Sequence, residues 1–279
     1  MIYDHIRVEP LSTALGAEIG GIDLAVPPAE PVLSEIRHAF GQYGVIFFRD
    51  QELTPEHHLA FARRIGDIDV NRFFTAVPGY PEIAEVRKEP EQRRNIGNGW
   101  HTDHSYDLAP AMGSMLYARE VPMTGGDTLF ASMYAAYEAL SDGLKATLDG
   151  LKAFHSSRHV FGAEAHARRG DLQGRIGNPE LATQDAVHPV VVRHPETGRK
   201  ALYVTPASPC ASTAGQTRNH GRCSNTSTGT RCGPSSRSAS IGAKAPSPSG
   251  TTARPGTLRL TTITANVASC TASRSQACH

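Results

Sequence analysis

The richest chemistry in the sequence lies in one octapeptide, Gly97-Asn98-Gly99-Trp100-His101-Thr102-Asp103-His104. In an extended segment, side chains two apart face the same way, so His101 and Asp103 would project together. An imidazole and a carboxylate placed like that can take adjacent sites on one metal ion. With a distant histidine they would complete the facial triad that leaves open positions on Fe(II) for a cosubstrate and oxygen. The H-x-D spacing recurs widely. With a histidine from the C-terminal tail it would equally serve a zinc hydrolase. The remaining histidines offer less. His57 and His58 fall in an expected helix, His155 and His159 show no ligand spacing, and His188 and His194 flank an expected strand.

The elements around this segment read as mixed α/β. Apolar residues at helical spacing from Glu30 to Phe40 end in Gly41-Gln42-Tyr43-Gly44, and Val45-Ile46-Phe47-Phe48 follows as a buried strand. Thr54-Pro55 marks a helix start, with Leu59, Phe61, Ala62 and Ile65 as its inner face. Two short helices are expected at 133–140 and 144–151. Strands are expected at 114–118, 127–130, 153–155, 190–192 and 201–204. The pattern predicts a β-rich core decorated by helices.

Hydrophobic content of 39% and charged content of 20% suit a globular domain of 279 residues. No apolar run approaches the roughly 18 residues of a membrane span, and the first residues lack a secretory pattern, so a cytoplasmic protein is expected. The net charge of +1 conceals an asymmetry: every Asp and Glu lies at or before Glu196. From Ser208 onward there are eight cations and no acid, leaving 20 cations against 27 acids in the body. Aromatics stop at Tyr203, whereas Cys210, Cys223, Cys232, Cys270 and Cys278 all lie in the tail. A basic tail of this kind could be a disordered arm that grips nucleic acid, or a disulfide framework, although the cysteines are odd in number and their spacings fit no metal or redox motif. Neither reading explains why acids, aromatics and Met vanish together.

Beyond Asp103 the sequence continues SYDLAPAMGSMLYAREVPMTGGDTLFASMYAAYEAL. Together with the opening ALGAEIGGIDL, the WHTD string and the later HPVVVRHPETGRKALYV, it resembles the 2-oxoglutarate-dependent dioxygenases typified by taurine dioxygenase and 2,4-dichlorophenoxyacetate oxygenase. The resemblance covers about residues 5–207 in four ordered motifs. It implies an α+β fold with a double-stranded β-helix (jelly-roll) core and flanking helices. It also implies Fe(II) held by His101 and Asp103, 2-oxoglutarate and O2 as cosubstrates, and Thr128 on a 2-oxoglutarate carboxylate. The implied activity is hydroxylation of a small organic, often anionic, molecule. Asn95, Asn98, His104 and Tyr106 lie near the implied pocket and are the candidate substrate contacts. The expected partner is a small-molecule substrate, with no membrane and with nucleic acid disfavoured; self-association is left open.

The family's closing motifs, a run like DNRATWH and then RRVMHR, supply the third iron ligand and a clamping arginine, and neither occurs here. Codons read one base out of register recover them. From Gly250, TTARPGTLRLTTIT can then encode DNRATWHFALNDYH, and ANVASCTA can encode GERRVMHR. SPCASTAG from Ser208 can likewise give FTLRF and GW. The expectation is a dioxygenase-like domain over 1–207, incomplete at its end, and an out-of-frame tail over 208–279 with the last strands missing or disordered. Thr257 then stands where the third ligand belongs and Ala268 where the arginine belongs. On this reading the chain is impaired. The alternative is an inactive remnant or a binding protein with a basic nucleic-acid-binding tail.

Overall fold

The computed structural model describes residues 3–93, 95–97, 99–122, 125–168, 170 and 174–205, and the backbone of 210–211, 260–265 and 269–274. The chain opens with β1 (Arg7–Pro10) antiparallel to β2 (Ala17–Gly20). Helix α1 (Glu30–Tyr43) has Pro31 in its first turn and ends at Gly44, whose φ of 69° lets its amide return to the Phe40 carbonyl. This helix buries Leu33, Ile36, Ala39 and Phe40. Its Glu35 carboxylate faces the N-terminal segment and accepts from the amides of Asp4, His5 and Ile6.

Strand β3 (Val45–Arg49) follows directly, with Val45 to Phe48 all buried. The next helix, α2 (Pro55–Ile65), is capped by Thr54, whose hydroxyl accepts from the His57 amide. Leu59 and Phe61 are its buried residues, and half-buried Ile65 packs against the principal core beside them. A small hairpin, β4 (Ala76–Val77) and β5 (Tyr80–Ala84), precedes β6 (Gly113–Tyr117) and β7 (Asp127–Ser132). Helices α3 (Met133–Glu138) and α4 (Asp142–Leu148) start on the hydroxyls of Ser132 and Ser141. Then come β8 (Lys152–Ser156), the short α5 (Arg158–Phe161) and α6 (Ala163–Ala167), β9 (Asp185–Pro189), β10 (Val191–Arg193) and β11 (Lys200–Leu202).

In the tail the backbone forms β12 (Cys210–Ala211), β13 (Leu260–Ala265) and β14 (Ser269–Arg274). The main sheet runs β1-β2-β3-β13-β6, and β13 is antiparallel to both its neighbours. β14 pairs with β7, and β12 adds to β8 and β9. The edges of β3 and β6 that the sequence reading leaves open are therefore paired by 260–265. That stretch is rich in Thr and Ile, β-branched types that favour extended backbone.

The principal core joins α1 to the main sheet through Ile19, Leu33, Ile36, Ile46, Phe48 and Phe61, with Tyr134 from α3. A second cluster packs α3 on β8 and β11 through Ala136, Leu140, Ala153 and Leu202. A third, of Phe73, Tyr106, Phe161, Ile176 and Ala182, lies beneath the loop that carries His101 and Asp103. Mostly antiparallel strand layers with flanking helices make an α+β jelly-roll architecture.

Candidate metal centre

Among the described residues of 97–104 there is no named strand, although His101 itself forms an isolated β-bridge. Gly97 takes a φ of 74° and His104 a φ of 54°, so the chain curls. The Asp107 amide closes the curl on the His104 carbonyl at 3.0 Å. The pair projects together, as the i, i+2 spacing predicts: His101 Nε2 lies 3.4 Å from Asp103 Oδ1. Two ligands at about 2.1 Å from one ion would sit about 3 Å apart, so this spacing suits adjacent coordination positions.

Each side chain is oriented from behind. His101 Nδ1 lies 2.7 Å from the Gly99 carbonyl, which places the proton on Nδ1 and leaves Nε2 for a ligand. Ser114, from β6, donates its hydroxyl to Asp103 Oδ2 at 2.8 Å. The Asp103 contact, helped by the Gly99 carbonyl, outweighs burial and raises the His101 pKa. Burial alone would raise Asp103, but the His101 and Ser114 hydrogen bonds and the His104 charge hold its carboxyl below the usual range. Asp103 is thus kept anionic, as a ligand must be. With side chains 39% and 41% exposed, the pair remains open to small molecules from solvent.

The turn that follows is pinned by charge. His104 Nδ1 lies 3.2 Å from Asp69 and 3.1 Å from Asp107, and Arg72 donates to the other Asp107 oxygen at 3.0 Å. Donor atoms of Asp69, His104 and Asp107 lie within 4.8 Å of one another, the spacing of a possible ion cluster. A ring nitrogen shared by two carboxylates, one already bound by a guanidinium, makes this a hydrogen-bonded hub. The Asp107 carbonyl is also 2.9 Å from His188 Nε2 on β9. Behind His188, the ring of His155 stacks on Tyr203 at 5.5 Å.

Among the other residues chosen from sequence, Tyr106 is buried, edge-on to Phe73 and Phe161. Its place is under the turn, in the core. His104 likewise serves the hub. Asn95 accepts from Lys88 Nζ at 2.6 Å, which commits its side-chain oxygen to the surface. Trp100 is exposed. Thr128 is exposed on β7, opposite Ser273 of β14 in the strand register. Asn98, Thr257 and Ala268 lie outside the described residues, except that 257 precedes β13 and 268 directly precedes β14 in the chain. A groove of about 530 Å³ lined by Arg158, His159, Glu164, Arg168 and Glu180 contains none of the selected residues.

Sequence reasoning missed Ser114, Asp69, Arg72 and Asp107. Ser114 lies 11 positions after Asp103 and Asp107 35 positions after Arg72, and no motif spans either interval to pair them.

The model of the taurine catabolism dioxygenase TauD, TfdA family matches residues 7–220. The chain is 34% identical over 208 residues to an (S)-phenoxypropionate/alpha-ketoglutarate-dioxygenase of Sphingobium herbicidovorans, covering 71% of this chain and 69% of that protein. It is 33% identical over 210 residues to the pentalenolactone F synthase of Streptomyces avermitilis, covering 70% and 69%. Among solved structures, AAD-2 in complex with Mn(II) and N-oxalylglycine superposes with a TM-score of 0.70 at 26% identity, covering 96% of this chain and 90% of that one. With the same jelly roll, and a family match over most of its length, the chain belongs to the TauD/TfdA family of 2-oxoglutarate-dependent dioxygenases.

Proposed function

We propose that this protein uses Fe(II), 2-oxoglutarate and O2 to hydroxylate a small organic substrate, anionic substrates included. The observation that carries this is the convergence of His101 Nε2 and Asp103 Oδ1 at 3.4 Å, with each side chain held from its far side. His101 and Asp103 would hold the metal. When bound, iron supplies the oxidative decarboxylation of 2-oxoglutarate to succinate and carbon dioxide, coupled to hydroxylation of a C–H bond. Support for a 2-oxoglutarate site comes from the relative solved with N-oxalylglycine, which presents the same carboxylate and keto-like oxygens. Thr128 would contact one carboxylate of the cosubstrate. The S. herbicidovorans relative is named for phenoxypropionate, an aryloxy acid, which supports an organic anion as substrate class here.

We further infer that residues 208–279 are read one base out of register, from a shift near codons 205–208. Two features support this: the abrupt loss of acids and aromatics, and motif-bearing alternatives over the stretches that form β13 and β14. Thr257 is a poor Fe(II) ligand and Ala268 carries no charge, so the chain as it stands should hold iron weakly. Metal content and 2-oxoglutarate-dependent succinate formation, compared between this chain and one with the frame restored, test both readings. Succinate from the restored chain and little from the present one is expected. Equal turnover in both, or an intact gene frame with matching protein mass, would overturn the frame reading. Stoichiometric zinc with no 2-oxoglutarate consumption in either chain would overturn the dioxygenase reading.

A further inference from the structure

We propose that Ser114 is the positioning residue for Asp103, holding one carboxylate oxygen so that the other is presented to the metal beside His101. The proposal rests on the metal reading of His101 and Asp103. Strand geometry decides which way Ser114 points. In β6, Met115 and Tyr117 are committed to the principal core, and the Tyr117 hydroxyl is further tied to Gln51 and Leu53. Alternation then turns Ser114 and the half-exposed Leu116 to the opposite face, toward the loop carrying the pair. There the hydroxyl meets Asp103 Oδ2 at 2.8 Å, while Oδ1 faces His101 Nε2.

This division of labour matters because a carboxylate on a single bond rotates, and its two oxygens are otherwise interchangeable. A hydroxyl on one of them fixes the plane and favours single-oxygen coordination by the other. The seat is itself held firmly, since Ser114 lies in register with Thr264 of β13, within a sheet that continues to β3. The hydrogen bond therefore links the ligand to the sheet rather than to another loop.

The test is anaerobic titration of the full chain with Co(II), read by its visible ligand-field absorption, for wild type, Ser114→Ala and Ser114→Thr. Thermal unfolding of each metal-free protein is measured alongside. Ser114→Ala should bind Co(II) about 10–100-fold more weakly with an altered spectrum. Ser114→Thr, which keeps the hydroxyl on a strand-favouring side chain, should restore both. The metal-free unfolding midpoints should coincide. Wild-type affinity and spectrum in Ser114→Ala would overturn the proposal, as would a loss that follows a lowered metal-free midpoint and is not restored in Ser114→Thr. If neither wild type nor the frame-restored chain takes up Co(II), the metal reading fails, and this proposal with it.

Discussion

Acid should destabilise the protein through His155, and the size of the effect follows from where its ring lies. His155 is 1% exposed on β8, between His188 and Tyr203. Burial, reinforced by the neighbouring His188, pushes its pKa from the ordinary 6.5 to about 4, against a hydrogen bond with the Tyr203 backbone. Above pH 6.5 the ring is neutral in both folded and unfolded chains. Between pH 6.5 and about 4 the unfolded chain takes up a proton that the folded chain refuses, so stability falls as the pH falls. At about 1.4 kcal/mol per pH unit, the loss across that window approaches about 3 kcal/mol, a large part of a typical domain's stability. Urea unfolding of wild type and His155→Gln at half-unit steps from pH 7.5 to 4 measures it. Whatever the variant loses in packing is independent of pH, so the difference between the two curves isolates the proton. Wild type should lose about 3 kcal/mol more than the variant on going from pH 7.5 to 4. Parallel curves would refute the reasoning, because a ring that titrates normally within the fold adds no pH dependence.

Glu35 works in the same direction at lower pH. The His5 hydrogen bond and three backbone amides hold its pKa near 2 against burial, so its clamp on residues 4–6 is complete above about 4.5 and is lost as pH falls toward 2. Glu35→Gln should remove that dependence and speed amide exchange at Asp4 to Ile6; unchanged exchange would show the clamp to be idle. Gln51 is buried, takes the Leu24 amide at 2.8 Å and donates to the carbonyls of Ile22 and Arg49. Gln51→Leu orphans these groups and should cost about 2–4 kcal/mol by urea denaturation. Phe161→Ala empties the stack on Phe73, whose ring centroids are 4.0 Å apart, and should cost about 3–5 kcal/mol on the same assay. His101→Ala and Asp103→Ala should each abolish Co(II) uptake while leaving the metal-free unfolding midpoint near wild type; retained uptake in either would remove that residue from the site.

Local signals carried the parts of the fold that local physics controls. Thr54-Pro55, Gly44 and the unbroken Val45-Ile46-Phe47-Phe48 run each mark an element whose boundary the structure reproduces within a few residues. The weakly patterned strands escaped. β1 is almost wholly exposed, and β9, sequence DAVHP, ends in a proline and turns its one large apolar residue, Val187, outward. At the site the ligand types were legible but their geometry was not. The H-x-D spacing named the two ligand types but not the turns on either side of them, where Gly97 and His104 take positive φ.

Beyond the local contacts of His101 with Gly99 and of His104 with Asp107, what holds that segment is non-local. Ser114 reaches Asp103 from the next strand, Arg72 reaches Asp107 from 35 residues upstream, and His188 reaches the Asp107 carbonyl from 81 residues downstream. Each is an ordinary residue type in an ordinary setting, and only the fold, for Ser114 and His188 the register of their strands, makes it a partner. The same register gives the tail its importance. β13 lies between β3 and β6, so the strand that seats Ser114 is itself seated by residues 260–265. An out-of-frame tail would therefore act on the metal pair in two ways. It would withhold the third ligand and the arginine, and it would replace the side chains of the strand on which the Asp103 support rests. Restoring the frame should consequently do more than add a ligand: it should also tighten the coordination of the two already present.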